Sequence, residues 1–243
     1  MKPQAQERRV GLARAMSKRG SCSRSQASEL IRAGRVRLNG KVRRDPETPV
    51  RLEQDRITLD GQPLQAQEKV YLMLNKPRKV VTTASDEAGR KTVYACLPPG
   101  LPWVAPVGRL DMASEGLLLM TNDSEWAARI TAPESHLDKR YHVQVGARPE
   151  EELLQKIMAG VESEGEWLQV KRVEVLRQGG RNCWLTVVLD EGRNRQIRRI
   201  MEALGVEVLR LVRVAIGPVE LGELKKGQAR RLSAEEKKAL DDL

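Results

Sequence analysis

Residues 106–121 read Pro-Val-Gly-Arg-Leu-Asp-Met-Ala-Ser-Glu-Gly-Leu-Leu-Leu-Met-Thr. The apolar run 117–120 follows a glycine and is typical of a buried strand. The pattern places Asp111 on a loop just ahead of a rigid element, a common location for a reacting group. Taken alone, the spacing favours an aspartate that caps a turn and pairs with Arg109, because short motifs also occur by chance.

The same segment resembles the catalytic loop of the pseudouridine synthases. Gly-Arg-Leu-Asp at 108–111, Ser114 and the run 116–123 are most similar to the bacterial ribosomal-RNA branch, which carries an N-terminal S4 domain. The resemblance extends from about Arg8 to about Leu232. It implies an α+β fold, with a small S4 RNA-binding domain followed by a catalytic domain built on a mixed or antiparallel sheet. It also implies that Asp111 is the catalytic aspartate.

Downstream of this loop, residues 139–145 (Lys-Arg-Tyr-His-Val-Gln-Val) alternate as a strand does, with Tyr141, Val143 and Val145 on one face. From the pattern alone, Tyr141 is a half-buried core tyrosine. The resemblance implies instead that Tyr141 is the active-site tyrosine, which packs on the base.

The segment 191–205 predicts a helix, since Ile197, Ile200, Met201 and Leu204 recur at i, i+3, i+4 and i+7. Arg198 lies off this face, where an ordinary pair with Glu202 would be worth a few tenths of a kcal/mol. The motif Gly-Arg-Asn-Arg-Gln-Ile-Arg at 192–198 resembles the family segment whose arginine pairs with the catalytic aspartate. That resemblance implies an Arg198–Asp111 pair, and Arg213 with Gly217-Pro218 completes the motif set.

The positive charge of the chain is concentrated near its start. The 243 residues carry a net charge of +10, and residues 1–66 hold fifteen Lys/Arg against seven Asp/Glu. The remaining residues hold 28 and 26, so they are nearly neutral. This asymmetry predicts two domains, 1–66 and 67–243, of which the first binds a polyanion.

Local signals in the first domain agree with an S4 module. Ser23 and Gln26 form a capping-box pattern for a helix ending near Gly34, and Asn39-Gly40 and Asp60-Gly61 are hairpin signals. The stretch 62–69 is polar and is interpreted as a linker, and residues 1–7 as a polar terminus. Ser25 stands where relatives often have a second arginine, which removes one expected phosphate contact.

The cations expected to contact RNA lie in both domains. A solubilising role is the alternative for any charge run, but a surface needed only for solubility mixes its signs more evenly. The first domain contributes Arg14, Lys18, Arg19, Arg24, Arg32, Arg35 and Arg37, and the second contributes Arg109, Arg193, Arg195 and Arg199. The resemblance implies that Arg109 contacts the RNA near the position vacated by the base.

Composition excludes several other classes of protein. The three cysteines and two histidines are too few and too scattered for a disulfide framework or a metal cluster. No apolar run has membrane-spanning length, and a secretory signal pattern is absent. We therefore expect a cytoplasmic protein without a metal site. We also expect it to be a monomer, and the reaction that the resemblance implies needs no cofactor. The scarcity of aromatic residues argues against a multi-base stacking platform.

These features lead to one function and two alternatives. We expect isomerisation of uridine to pseudouridine in ribosomal RNA, in 23S large-subunit RNA or in an assembly intermediate containing it. A 16S small-subunit target is the first alternative, and a non-catalytic rRNA-binding assembly factor is the second.

Asp111 has three routes open to it: attack at C1′, addition at C6, or assistance of an elimination. A metal-dependent hydrolase would need further carboxylates or histidines at ligand spacing.

Overall fold

The computed structural model describes residues 9–242, so the predicted polar terminus at 1–7 lies outside the described residues. The chain divides into two compact units. Unit 1 comprises Met1–Tyr71, Pro99–Ala105 and Thr121–Trp126, and unit 2 comprises Leu72–Pro98, Pro106–Met120 and Ala127–Leu243. The sequence-based boundary between residues 66 and 67 falls inside unit 1 and stays a prediction.

The N-terminal part of unit 1 contains two helices and six short strands. These are β1 (Arg9–Gly11), α1 (Leu12–Lys18), α2 (Arg24–Arg32), β2 (Val36–Leu38), β3 (Lys41–Val42), β4 (Pro49–Arg51), β5 (Ile57–Leu59) and β6 (Gln62–Pro63). The predicted capping box is present, with Ser23 accepting from the Gln26 amide and Gln26 accepting from the Ser23 amide. Both hairpin signals are confirmed, because each pair has two residues at positive φ, as a type I′ turn requires.

Two details of this part differ from the sequence-based interpretation. Apolar spacing predicts a first helix over 10–19, but the helix starts only at Leu12, because Arg9–Gly11 pairs with Pro49–Arg51. The stretch 62–69 is not simply a linker, since β6 pairs with β5 and the Gln67 amide donates to the Arg19 carbonyl at 2.8 Å. The β1–β4 pairing and the Gln67–Arg19 bond join segments far apart in sequence and therefore leave no local signal, whereas β6 follows from the Asp60-Gly61 turn.

The main sheet is mixed, as expected. Its strands are β7 (Tyr71–Lys76), β8 (Ala105–Val107), β9 (Glu115–Thr121), β10 (Lys139–Val145), β13 (Arg172–Gln178), β14 (Cys183–Leu189), β15 (Val208–Ile216), β16 (Val219–Glu220) and β17 (Ala229–Arg231). The strand order is β13-β14-β10-β15-β9-β7-β17, with β8 beside β9 and β16 beside β15. The pair β15–β9 is parallel, whereas β10 pairs antiparallel with both β14 and β15.

A hairpin, four α-helices and two short 3₁₀ helices complete the described chain. The hairpin and the α-helices are α3 (Ser124–Thr131), α4 (Glu151–Ala159), β11 (Val161–Ser163), β12 (Glu166–Leu168), α5 (Gln196–Ala203) and α6 (Ala234–Asp241). The 3₁₀ helices are Val93–Cys96 and Pro133–Ser135. Within the described residues, no helix combines the length and the apolar character needed to cross a bilayer. The predicted apolar face of α5 is confirmed, because Ile197, Ile200 and Met201 are buried in one cluster with Val143 and Leu185.

Strand β9, which the apolar run 117–120 predicted, lies inside the sheet between β15 and β7. Every residue of β9 is buried, including the apolar run that predicted it. Gly116 in this strand has φ +101°, and a Cβ there would lie 2.2 Å from the Arg213 carbonyl oxygen of β15. Glycine therefore permits the close parallel approach of β9 and β15 at this point.

Two predictions from local sequence patterns in unit 2 are wrong. The patterns predict a single strand over 167–176 and a helix over 149–160 whose apolar stripe consists of Leu153, Leu154, Ile157 and Met158. The strand predicted for residues 167–176 is divided, because Leu168 pairs with Val161 in the hairpin and the chain joins β14 only from Arg172 onward. The apolar spacing of α4 predicts that Met158 belongs to its buried stripe, yet Met158 is 37% exposed. In that helix Ile157 is fully buried. The helix contacts the sheet at the edge strand β13, which covers only a narrow face.

Candidate active site

Asp111 lies on the loop that joins β8 to β9, and the carbonyl groups of this loop are held one after another. Hydrogen bonds reach five consecutive carbonyls, from Leu110 to Ser114. The bonds are Thr82 Oγ1 to Leu110 O (2.7 Å), Lys76 Nζ to Asp111 O (2.9 Å) and to Ser114 O (2.8 Å), the Lys79 amide to Met112 O (2.8 Å) and Arg198 Nη2 to Ala113 O (3.2 Å). A backbone bonded at this density holds the Asp111 side chain in a defined position.

The carboxylate of Asp111 has neither a hydrogen-bond nor an ion-pair partner among residues 9–242. It is partly exposed, and the charges of Lys76 and Arg198 lie close enough to attract it. The loop backbone is thus fixed, whereas the Asp111 carboxylate remains available to accept hydrogen bonds from a ligand.

Lys76, at the end of β7, is the residue of this site that sequence reasoning missed. Its side chain is fully buried, and its ammonium group donates to three carbonyls, those of Pro77, Asp111 and Ser114. Burial lowers the pKa of Lys76 to about 8, although the charges of Asp111 and Glu115 oppose the shift. A lysine directly before Pro77 at the end of an apolar strand was the available signal, but that pattern is also typical of an ordinary turn.

Arg198 lies on α5 and reaches the loop, as expected, but by a different contact. Its Nη2 donates to the carbonyl of Ala113, and no ion pair joins it to the Asp111 carboxylate. Its Nε is buried and has no partner in the described chain. Burial, and after it the charge of Arg195, lowers the pKa of Arg198, whereas Asp111 acts in the opposite direction. The expected salt bridge is therefore replaced by a bond to the backbone two residues further along.

Tyr141 lies on β10 and is partly buried. Its cross-strand partners are Val187 on β14 and Arg213 on β15. It packs against the apolar cluster that also holds the buried face of α5. Tyr141 and the helix that carries Arg198 therefore pack against the same apolar cluster, although they are far apart in sequence.

A buried carboxylate, that of Glu115, lies where the loop ends and β9 begins. Glu115 is 1% exposed and accepts two hydrogen bonds from Arg210, at 3.1 and 3.2 Å, and forms an ion pair with Lys226. Burial would raise the pKa of Glu115, but the bonds from Arg210 and Lys226 outweigh it and hold the pKa below its usual value. The charge of Glu115 is therefore already neutralised by these two partners.

An open cleft of about 660 Å³ lies beside the loop. Its walls are formed by parts of residues 81–90 and by residues 109–112, so it contains both Arg109 and Asp111. Tyr141 and Arg198 do not line this cleft. No group of His, Cys, Asp and Glu among the described residues is arranged to hold a metal ion.

The cations predicted to contact RNA fall into different environments. Arg14, Arg24, Arg32 and Arg37 are exposed, and Arg35 is exposed but paired with Asp60. Lys18 pairs with Glu125. In the second set, Arg109, Arg193 and Arg195 are exposed, with Arg193 bonded to Glu191.

Two members of the predicted set are held by the protein itself. The guanidinium of Arg19 donates to the carbonyls of Leu52, Asp55 and Leu64 at 3.0 to 3.1 Å. Arg199 is 8% exposed and binds Ser163, Glu164 and Glu166 of the β11–β12 hairpin. The geometry of Arg19 and Arg199 favours a structural role, because their donors are directed at backbone and side-chain oxygens.

Comparisons with known proteins identify both parts of the chain. A family model described as RNA pseudouridylate synthase matches residues 70–203. The chain belongs to this family. The S4 domain model matches residues 10–57 of the same enzyme, so the predicted family and the order of the two domains are confirmed.

Relatives of this synthase match it over most of its length. An uncharacterized RNA pseudouridine synthase of Aquifex aeolicus is 38% identical over 219 residues, which cover 90% of this chain and 88% of the relative. The ribosomal large subunit pseudouridine synthase B of Bacillus subtilis is 38% identical over 91% of both chains. A solved pseudouridylate synthase structure superposes with a TM-score of 0.66 at 32% identity, covering 95% of this synthase and 99% of that chain.

Proposed function

We propose that this synthase converts a uridine of 23S ribosomal RNA to pseudouridine, with Asp111 as its catalytic carboxylate. The large-subunit target is supported by the names of the relatives from Bacillus subtilis and Yersinia pestis. The role of Asp111 rests on one observation. Its loop has five consecutive bonded carbonyls, while its carboxylate has no partner in the described residues.

The reaction breaks the N1–C1′ bond of uridine and forms a C5–C1′ bond with the same base. C5 loses a proton and N1 gains one, so the atoms of substrate and product balance. A carboxylate is a weak nucleophile in water, and fixed geometry together with exclusion of water raises its reactivity. The bonded loop supplies the fixed geometry, and the flipped base would enter from the open side of the loop.

The other residues act around Asp111. Arg198 positions the loop through its hydrogen bond to the Ala113 carbonyl. Tyr141 packs on the base. Arg109, which lines the cleft with Asp111, contacts the RNA near the vacated base position. We further propose that the synthase acts as a cytoplasmic monomer on ribosomal RNA or on an assembly intermediate.

Mapping pseudouridines in ribosomal RNA tests the target. Cells lacking the protein should lose a pseudouridine in 23S RNA, and the wild-type gene should restore it. Restoration by Asp111→Asn at equal protein level would contradict the catalytic role and favour an assembly factor. Loss of a 16S pseudouridine instead would show that the target lies in the small subunit.

The purified protein provides the matched measurement. Asp111→Asn should abolish turnover and keep RNA affinity within a few-fold, because the carboxylate acts on the nucleoside and not on the phosphates. Turnover by a folded Asp111→Asn protein would refute the assignment.

A further inference from the structure

Arg213 is a buried cation of β15 that the roles described above do not use. It is 6% exposed, and it stands in register between Tyr141 of β10 and Gly116 of β9. Directly opposed residues of paired strands project to the same face, so Arg213 and Tyr141 share one side of the sheet. The Nε of Arg213 donates to the Leu117 carbonyl at 2.8 Å.

The second terminal nitrogen of Arg213, Nη2, has no partner among the described residues. Nη2 is buried and forms no hydrogen bond within residues 9–242. A buried donor left unpaired costs about 1–3 kcal/mol, and more when it is charged. Native proteins rarely retain such a group unless a ligand, an ion or water completes it.

The surroundings of Arg213 are positive. Burial lowers the pKa of Lys139, with the charge of Arg213 as the next cause, and Arg213 also contributes to the lowered pKa of Lys76. The nearby carboxylate of Glu115 is already neutralised by Arg210 and Lys226. Arg213 therefore lies near two further buried or partly buried cations and one carboxylate that already has cationic partners, an environment that favours a negatively charged ligand.

The reaction supplies such charge on the base. When the N1–C1′ bond breaks, its electron pair stays on N1 and delocalises onto O2 and O4 of the uracil ring. Addition at C6 likewise places negative charge on O4. A preorganised donor aimed at an oxygen where charge develops is among the strongest catalytic devices known.

We propose that Arg213 is a catalytic residue that donates through its free Nη2 to a carbonyl oxygen of the target uracil. This inference rests on the proposed function, since it requires that a uridine be isomerised at this site. One buried free nitrogen fits a single carbonyl oxygen better than a hydrated phosphate, which offers several oxygens at once.

Combining Arg213 variants of the full-length synthase with thio-substituted RNA substrates tests the contact. The probe is a synthetic RNA that contains the uridine found by mapping, with uridine, 2-thiouridine or 4-thiouridine at that position. Sulfur is a weaker acceptor than oxygen, so one of the two thio substitutions should slow single-turnover isomerisation by wild type. Arg213→Gln should slow the uridine substrate by about 10²-fold and should remove the additional penalty of that same thio substitution.

Two further variants separate this role from a structural one. Arg213→Lys keeps the charge but cannot reach both the Leu117 carbonyl and the base, so it should also lose the thio effect; it gives the same test if Arg213→Gln does not fold. Arg210→Gln removes a cation from the same strand and should keep the full wild-type thio effect. Melting temperatures identify any variant that is simply unfolded.

The outcomes are distinct. The proposal is wrong if both thio penalties in the folded Arg213 variants equal those of wild type. It is also wrong if the Arg213 variants lose only the rate penalty of a phosphorothioate placed at the phosphate next to the target uridine. An inactive wild type, or an active Asp111→Asn enzyme, would instead refute the proposed function. Either result would be found before the Arg213 variants are compared on the thio substrates.

Discussion

At the scale of single residues, Lys76 should set an alkaline limit on activity. Its ammonium donates to three carbonyls around Asp111, and its pKa is about 8. A neutral amine has only two N–H groups and no charge, so we expect the loop to loosen as the pH rises above about 8. The rate at saturating RNA, measured from pH 6 to 10, should fall with an apparent pKa near that value.

Folding stability should respond to the same titration with the opposite sign. The folded pKa of Lys76 lies below the usual 10.5. Between these two values the unfolded chain binds more protons than the folded chain, so unfolding becomes less favourable as the pH rises. The full gain is on the order of 3 kcal/mol. Urea denaturation should give a difference between wild type and Lys76→Met that grows from pH 8 to 10.5, and a constant difference would contradict the assignment.

Gly116 should tolerate no side chain. A Cβ would lie 2.2 Å from the Arg213 carbonyl oxygen, and the φ of +101° is unfavourable for any L-residue. We expect Gly116→Ala to destabilise the fold by more than about 4 kcal/mol, or to prevent folding. Gly192→Ala is the matched control, because nothing lies within 4 Å of its Cβ position, and it should change stability by less than about 0.5 kcal/mol. Equal denaturation midpoints for the two variants would refute this account.

At the scale of elements, α5 presents Arg198 to the loop. Arg198→Met removes the bond to Ala113 and a nearby positive charge, so the rate at saturating RNA should fall by about 10²-fold, the cost expected for a small misplacement of a reacting group. Arg198→Lys should recover part of the rate, because an ammonium group can replace one bond but not the guanidinium geometry. Loss of RNA affinity alone, with an unchanged rate, would show that Arg198 is only a binding residue.

Arg199 should anchor α5 to the β11–β12 hairpin. Its bonds to Ser163 and Glu166 lead us to expect a loss of about 1–3 kcal/mol in Arg199→Ala, with a lower kcat and a nearly unchanged KM for RNA. This differs from the effect on affinity predicted from sequence. Arg193→Ala removes an exposed arginine with a single acidic partner and should weaken RNA binding without changing stability. The reverse pattern in the two variants would restore Arg199 to the RNA-binding set.

At the scale of the whole molecule, the basic N-terminal module should dominate the salt dependence of RNA binding. Changing the exposed Arg14, Arg24, Arg32 and Arg37 to Gln in the full chain should reduce the slope of log K against log salt by about 0.7–0.9 for each phosphate that is no longer neutralised. The control changes four exposed arginines of unit 2, namely Arg148, Arg172, Arg177 and Arg181. Filter binding at several salt concentrations gives both slopes, and equal slopes would mean that the module does not dock on RNA.

The sequence by itself determined the elements that rest on local physics. Ser23 and Gln26 fix a helix start through their own bonds, Asn39-Gly40 fixes a turn through backbone φ, and the apolar run of β9 follows from side-chain burial. The resemblance around Asp111 likewise needs only neighbouring residues. The family and the order of its two domains could therefore be predicted from local patterns alone.

Only the tertiary structure decided what surrounds Asp111. Lys76 lies 35 positions from Asp111, and Arg198 lies 85 positions from Ala113, so no local pattern reveals which carbonyl each one binds. Arg199 and Arg198 are adjacent in sequence, yet one turns to the hairpin and the other to the loop, because successive residues of a helix point in different directions. Burial and partner choice depend on how distant segments pack, and that packing makes Lys76 and Arg213 part of the site.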